Sequence, residues 1–384
     1  MNNNFKSLLF MITTIFCSLM VVSIILELML RVLPLKSIEF QAGMFDKDIN
    51  LYVYEPNSRI IRTNIRGERI IRDVNSAGFL DIDHSLEKPE GVYRIGFFGD
   101  SYVEAKQVLL NDTFYRRIER KLADQHVEIL AFGNSGWGTI HSYLVSKKFS
   151  EYFNIDLVVY IFSENDLGDQ IYEVKNAESM PYPYLTDDNK IKIDNSKAKE
   201  YAKKREQKAV LEYIYRKSFL VQNIYRRINL LIKYGVKTSV DDDDMKMSSK
   251  TLEGIYPNPN DLPSIWPEEI KRKAMVMAEK MISRWKDEIS DAGKDYVIMY
   301  IPREGEWNKP DMVQDSWKFW LKMFCERERI DFLDPTPYFI KYDNIGKKIY
   351  DDHLSIAGHK ASSESFIDWF INRAKRAKIN KDSN

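Results

Sequence analysis

Three patterns of apolar and polar positions organise the chain. The first occurs once, at the start: Ser7 to Leu26 is a run of 20 residues without a charge, and as a helix it would span roughly 30 Å, the thickness of a bilayer core. The run continues through Glu27 and Arg31 to Leu35 with no small-residue cleavage site. This predicts an uncleaved membrane anchor over residues 1–35 rather than a removed signal peptide. Lys6 precedes the run, while Arg31 and Lys36 follow it, so the flanking charges leave the orientation open. Residues 36–90 are polar with β-prone pieces, NLYVYEP and RIIRTNIRGERIIRDV, which predicts a connecting segment with a hairpin or two, packed on the main domain.

The second and third patterns alternate from residue 91 onward. VYRIGFFG (92–99), VEILAFG (127–133), DLVVYIFS (156–163), DYVIMYIP (295–302) and IDFLDP (330–335) are short apolar runs without internal alternation, as expected of parallel strands buried on both faces. Between the first two, Phe114, Ile118 and Leu122 recur at helical spacing behind Asp112 as a cap. Residues 140–152, 268–291 (just after Pro267) and 362–378 read as helices by the same test. Strands alternating with helices predict a doubly wound α/β domain over 91–384, with a mainly parallel five-stranded sheet and right-handed crossovers. Residues 170–262 break the alternation with a charged helical stretch, roughly 196–234, followed by SVDDDDMKMSS and YPNPNDLP; they read as an insertion near one end of the sheet. Asp241 to Asp244 lack the Gly and Glu spacing of a calcium loop and read as a solvated loop.

Composition narrows the function. Of the residues, 44% are hydrophobic and 13% aromatic, ample for a large core. Lys plus Arg and Asp plus Glu both number 57, so there is no net field to hold a polyanion, and nucleic acid is not an expected partner. Cys17 and Cys325 offer neither a disulfide framework nor a zinc spacing.

Ligands of open α/β sheets bind at the carboxyl ends of the strands, and four such ends carry chemistry here. The first apolar run stops in Gly99-Asp100-Ser101; the second leads into NSGWGT, with Gly136; the third ends in SENDL, with Asn165; and YDDHLSIAGH places His353 ahead of the last helix. A serine hydroxyl needs a base to remove its proton, and a neutral imidazole held by a carboxylate supplies one. The N–H groups of Ser101 and Gly136 with the Asn165 amide are the expected donors to the developing oxyanion. Hydroxyl, imidazole, amide and backbone donors together make the equipment for acyl transfer.

In order and in combination, Ser101 in FFGDSY, Gly136 in NSGWGT, Asn165 in SENDL and His353 in DDHLS resemble the four blocks of the SGNH, or GDSL-type, hydrolase superfamily. The resemblance covers roughly residues 92–170 and 290–375, with the anchored layout and NSAGFLD before the first strand also similar to bacterial members. It implies a flavodoxin-like fold and an esterase or O-acyltransferase, with acetyl as the expected group and a carbohydrate or surface polysaccharide as substrate. The implied protein is single-pass, with its catalytic domain outside the cytoplasm, and a membrane-bound acyl donor is a possible partner; neither a metal nor an organic cofactor is implied. Two positions depart from the pattern. Ser163 stands where the third block more often begins with Gly, and Tyr350 stands three residues before the histidine, where the acid often lies. Membrane-linked relatives with an Asp-x-His spacing imply Asp351, and residues i and i+2 of an extended segment project to one side; Asp352 is the alternative acid.

Other residues compete for roles. His84, with Asp81 three residues earlier, mimics the expected acid spacing but precedes the first strand. His359, His126 and His141 read as structural, and Asp100 as an orienter of the nucleophile turn. Trp137 reads equally as a pocket wall for sugar or acyl group and as a core aromatic. Two alternatives to acyl transfer stay open: a catalytically silent polysaccharide-binding or assembly protein on the same fold, and a lipase on membrane lipids, for which no apolar lid is legible.

Overall fold

The N-terminal apolar run winds into one helix, α1 (Asn3–Val32), whose stretch Phe5–Leu30 is long and apolar enough to cross a membrane. The computed structural model describes residues 3–32, 43–207, 213–214, 218–234, 260–261, 263–309 and 316–382. They fall into two compact units, Met1–Ala42 with Lys203–Ser248 and Gly43–Ala202 with Ser249–Asn384.

The larger unit begins with two antiparallel hairpins, β1 (Gly43–Asp46) with β2 (Leu51–Tyr54) and β3 (Arg59–Thr63) with β4 (Arg69–Asp73). The expected connecting segment is therefore part of this unit from Gly43 onward. Arg72 is one reason: buried, it donates to the carbonyls of Ala105 at 2.8 Å and Val108 at 3.1 Å. Next come β5 (Tyr93–Gly99), α2 (Ser101–Glu104), α3 (Phe114–Lys121), β6 (Val127–Gly133), α4 (Thr139–Tyr152) and β7 (Leu157–Ser163). The cap of α3 is Thr113, whose hydroxyl accepts from the Arg116 N–H; the expected cap Asp112 instead binds Arg117.

Two short helices follow, α5 (Asp166–Asp169) and α6 (Tyr172–Lys175), then an unforeseen hairpin of β8 (Tyr182–Leu185) and β9 (Ile191–Asp194). Within the charged stretch expected to be helical, the described residues include the helices α7 (Ser196–Glu206) and α8 (Phe219–Tyr234), and α8 belongs with α1 in the smaller unit. The acidic run Asp241–Asp244 lies outside the described residues. The chain then completes the larger unit with α9 (Glu268–Asp291), β10 (Asp295–Ile301), α10 (Lys318–Glu328), β11 (Asp331–Leu333), α11 (Thr336–Asp343) and α12 (Ile356–Asp382). The last helix starts earlier than its periodicity suggests because the Ser355 hydroxyl accepts from the N–H groups of Ala357 and Gly358.

β6, β5, β7, β10 and β11, in that order, form one parallel sheet. Numbered along the chain the order is 2-1-3-4-5, which reverses between β5 and β7, and such a reversal opens a crevice at the strands' carboxyl ends. Side-chain alternation divides the core between the two faces. Leu157, Val159 and Ile161 of β7 pack with Phe97, Val297 and Phe366 on one side. Val158, Tyr160 and Phe162 pack with Phe98, Tyr300 and Trp285 on the other. Each such side chain contributes about 1.5–3 kcal/mol by leaving water, which is why these runs carry no polar alternation.

Candidate active site

β5 ends at Gly99, and the carboxylate of Asp100 turns the chain by accepting the Tyr102 N–H at 2.9 Å. Ser101 thereby opens α2 at the crevice between β5 and β7. Its hydroxyl lies 2.9 Å from Nε2 of His353, within reach for the proton transfer that makes an alkoxide. The imidazole is flanked by the Tyr102 ring at 5.5 Å between centroids. Nδ1 of His353 is buried and has no hydrogen-bond partner among the described residues.

The acid nearest that nitrogen is Asp352. Its Oδ2 is 3.8 Å from Nδ1, an ion-pair distance once the ring is protonated and too long for a hydrogen bond. The imidazole beside it, and then the Arg62 guanidinium, hold the Asp352 carboxyl down at about 2 despite partial burial. Asp351, the residue favoured by the pleat argument, is bound by Arg66 at 2.6 Å with Lys348 at 3.6 Å. The reason is local: the Asp351 N–H donates to the His353 carbonyl at 2.8 Å and Tyr350 bridges Leu354. Residues 351–353 thus form the tip of a tight turn, where i and i+2 no longer share a side.

Gly136 adopts φ +78°, a left-handed conformation suited to glycine, and a Cβ there would lie 2.5 Å from the Lys175 ammonium. Gly133 must also lack a side chain, since its Cβ would sit 2.4 Å from the Glu104 N–H nitrogen. Glu104, buried in α2, accepts from the hydroxyls of Ser135 and Tyr54, fastening the glycine turn to the helix that Ser101 opens. Asn165 stands at the end of β7 as expected, but both its amide protons are engaged, by Asp100 at 3.0 Å and Asp169 at 2.8 Å. Asp169 in turn pairs with Lys175 at 2.7 Å.

Ser163 gives this edge its character. Its hydroxyl is 2.9 Å from Asp100, 2.8 Å from the Asn165 oxygen and 3.2 Å from Asp166 Oδ1. One hydroxyl has a single proton, so these contacts need a second proton in the group. Burial, then the neighbouring Asp100 charge, pushes the Asp166 carboxyl well above the ordinary range, the direction that favours its protonated form. Burial raises Asp100 and Asp169 as well.

The crevice thus brings together Ser101, His353, Asp352 and Asn165, with Gly136 beside Lys175. Trp137 is not a pocket wall: it is 1% exposed and packs edge-on against Phe79 in the core. His84 lies beyond the opposite, amino-terminal end of the sheet, between Asp81 and Glu128. Burial opposes its charge, yet the two carboxylates push it up to about 9. With fully buried Arg94, which binds Glu128 at 2.6 Å and the carbonyls of Ser85 and Phe153, it ties the preceding loop to β5 and β6. His141 accepts from the Gly138 N–H and His359 from the Phe114 N–H; burial holds both at about 3, as neutral structural rings.

Sequence reasoning missed Arg62, Glu104, Asp169 and Lys175. Among the described residues no group of three His, Cys, Asp or Glu side chains could hold a metal ion. A groove of about 630 Å³ lined by Lys190, Val276, Ser283, Phe324 and Arg327 contains none of the site residues.

No protein-family model matches the sequence, and no curated protein matches it. Solved structures do match. The chain is similar to a member of the lipolytic protein G-D-S-L family from Veillonella parvula at 9% identity and a TM-score of 0.38, covering 73% of this chain and 99% of that one. An acetylxylan esterase from Geobacillus stearothermophilus, in a catalytic-mutant form, is 12% identical with a TM-score of 0.38, covering 73% and 95%. Another acetyl xylan esterase is 11% identical with a TM-score of 0.37, covering 71% and 97%.

Proposed function

We propose that the chain is a membrane-anchored serine esterase or O-acyltransferase, with acetyl as the group moved and a carbohydrate or surface polysaccharide as its substrate. The observation that carries this reading is the 2.9 Å contact of Ser101 Oγ with His353 Nε2 at the switch point of the sheet. His353 takes the hydroxyl proton as Ser101 attacks the ester carbonyl, and returns it to the leaving sugar oxygen. Asp352 orients the ring and stabilises the imidazolium. The N–H groups of Ser101 and Gly136 receive the oxyanion, joined by the Asn165 amide as Asp169 gives it up to rely on Lys175 alone. Water, or a sugar hydroxyl in a transferase, then accepts the acyl group from Ser101. The apolar Phe5–Leu30 stretch supports anchoring in the cytoplasmic or inner membrane, with the catalytic unit outside the cytoplasm and an acyl-donor partner in the membrane for the transferase.

Incubation of the full chain in detergent with an acetylated oligosaccharide and an aryl acetate tests this. Acetate release or transfer that disappears in Ser101→Ala supports the proposal; equal turnover in both proteins overturns it. One observation favours a second reading: both Asn165 amide protons are bound to carboxylates, as a silent polysaccharide-binding protein would tolerate. Oligosaccharide binding without any turnover would select it.

A further inference from the structure

The helix α8 has its polarity reversed for a helix in water. Gln222 is 2% exposed, whereas Ile224, Tyr225 and Ile228 are 49%, 55% and 47% exposed. At 3.6 residues per turn the three apolar residues share a sector of roughly 100°, with Gln222 outside it, about 110° from its middle. A helix facing water turns its apolar stripe inward and its amides outward. The neighbouring helix α1, in the same compact unit, likewise exposes apolar side chains such as Leu9, Phe16 and Leu19.

The junction of the two helices fixes the level at which α8 begins. The Glu27 carboxylate accepts from the Ser218 hydroxyl at 2.9 Å and from the N–H groups of Phe219 at 3.0 Å and Leu220 at 2.9 Å. The Ser218 hydroxyl in turn accepts the Val221 N–H at 3.1 Å. A carboxylate inside an apolar stretch is thus satisfied by the positive end of α8. Glu27 lies one turn before the end of that stretch at Leu30, so α8 starts at the edge of the hydrocarbon layer. With 16 residues it is roughly 24 Å long, too short to cross a bilayer core, and its sequence holds Arg226, Arg227 and Lys233.

We infer that α8 is an interfacial helix that lies in the headgroup boundary of the bilayer beside α1, with the face of Ile224, Tyr225 and Ile228 in the acyl region. The exposed Arg227 borders that face, where it can reach lipid phosphates. The inference rests on the anchoring part of the proposed function and is independent of the chemistry at Ser101. It makes the mid-chain insertion a second membrane contact.

The test is power-saturation spectroscopy of nitroxide labels on the full chain in vesicles of phosphatidylcholine and phosphatidylglycerol. Single cysteines replace Ile224, Tyr225 or Ile228 in a background where both native cysteines are substituted, Cys17→Ser and Cys325→Ala, with a label at Phe16 of α1 reporting the anchor. We expect oxygen, which partitions into lipid, to relax the labels at 224, 225 and 228 more strongly than an aqueous nickel chelate. Nickel dominating at these sites would overturn the inference, as would labels shielded from both reagents, which would mean that protein covers the face. A water-exposed label at Phe16 would overturn the anchor and this inference with it. A lipid-exposed Phe16 with water-exposed 224–228 labels would overturn the inference alone.

Discussion

The Asp352 carboxylate stands 3.8 Å from Nδ1 of His353, while the adjacent Asp351 is turned away to Arg66. Two neighbouring aspartates therefore have separable roles. Asp352→Ala removes the carboxylate that faces Nδ1 of the imidazole and is expected to lower kcat/KM on an aryl acetate by roughly 10²–10⁴-fold. Asp351→Ala releases its ion pairs with the exposed side chains of Arg66 and Lys348, and activity is expected to stay within about threefold, in line with the small worth of such pairs. The reverse ranking in a steady-state assay would return the role to Asp351.

Which of the two aspartates the turn brings beside the imidazole was illegible in the sequence for a definite reason. Whether i or i+1 faces a histidine depends on whether the segment is extended or turned, and Tyr350–Leu354 supply no turn glycine or proline to announce the bend. The strand ends were legible because burial on both faces demands unbroken apolar runs, and Gly99-Asp100-Ser101 must then stop one. Arg62 and Arg66 reach their aspartates across nearly 290 residues of chain, a separation at which no local pattern survives. Asn165 lies at the end of β7, and the two carboxylates that engage its amide come from the turn at Asp100 and from α5, contacts that no local pattern announces.

Asp166 is expected to act as a protonated donor to Ser163. An amide reproduces that donor and the acceptor facing Tyr160, so Asp166→Asn should keep activity within a few-fold and fold normally. Asp166→Leu leaves the Ser163 and Tyr160 hydroxyls short of a partner and should cost about 1–3 kcal/mol of stability, read as a lowered Tm. Equal damage from both substitutions would show that the carboxylate is ionised.

Gly136→Ala forces a side chain into left-handed backbone, a penalty of about 1–2 kcal/mol. It also presses the Lys175 ammonium away from its place, although that flexible end can yield. The expected result is a modest drop in Tm with a larger loss in kcat than in substrate binding. An unchanged kcat would remove the glycine turn from the oxyanion site.

His84 makes stability depend on pH. Its pKa is raised from 6.5 to about 9, so the folded state binds the extra proton between those values. Its contribution, about 3 kcal/mol in full, is present below pH 6.5 and is lost as the pH rises toward 9. Comparing Tm of the wild type and His84→Gln in detergent should show a wide gap at pH 6 that narrows by pH 9.5. A gap constant with pH would mean that the ring is neutral in the fold.

The central claim is that Ser101 is an activated nucleophile. The most direct measurement is mass spectrometry of the full chain after treatment with a fluorophosphonate, for wild type, Ser101→Ala and His353→Ala. One adduct is expected, on the peptide containing Ser101, in wild type alone. A folded wild type that takes no label, or a His353→Ala protein that labels at the wild-type rate, would contradict it.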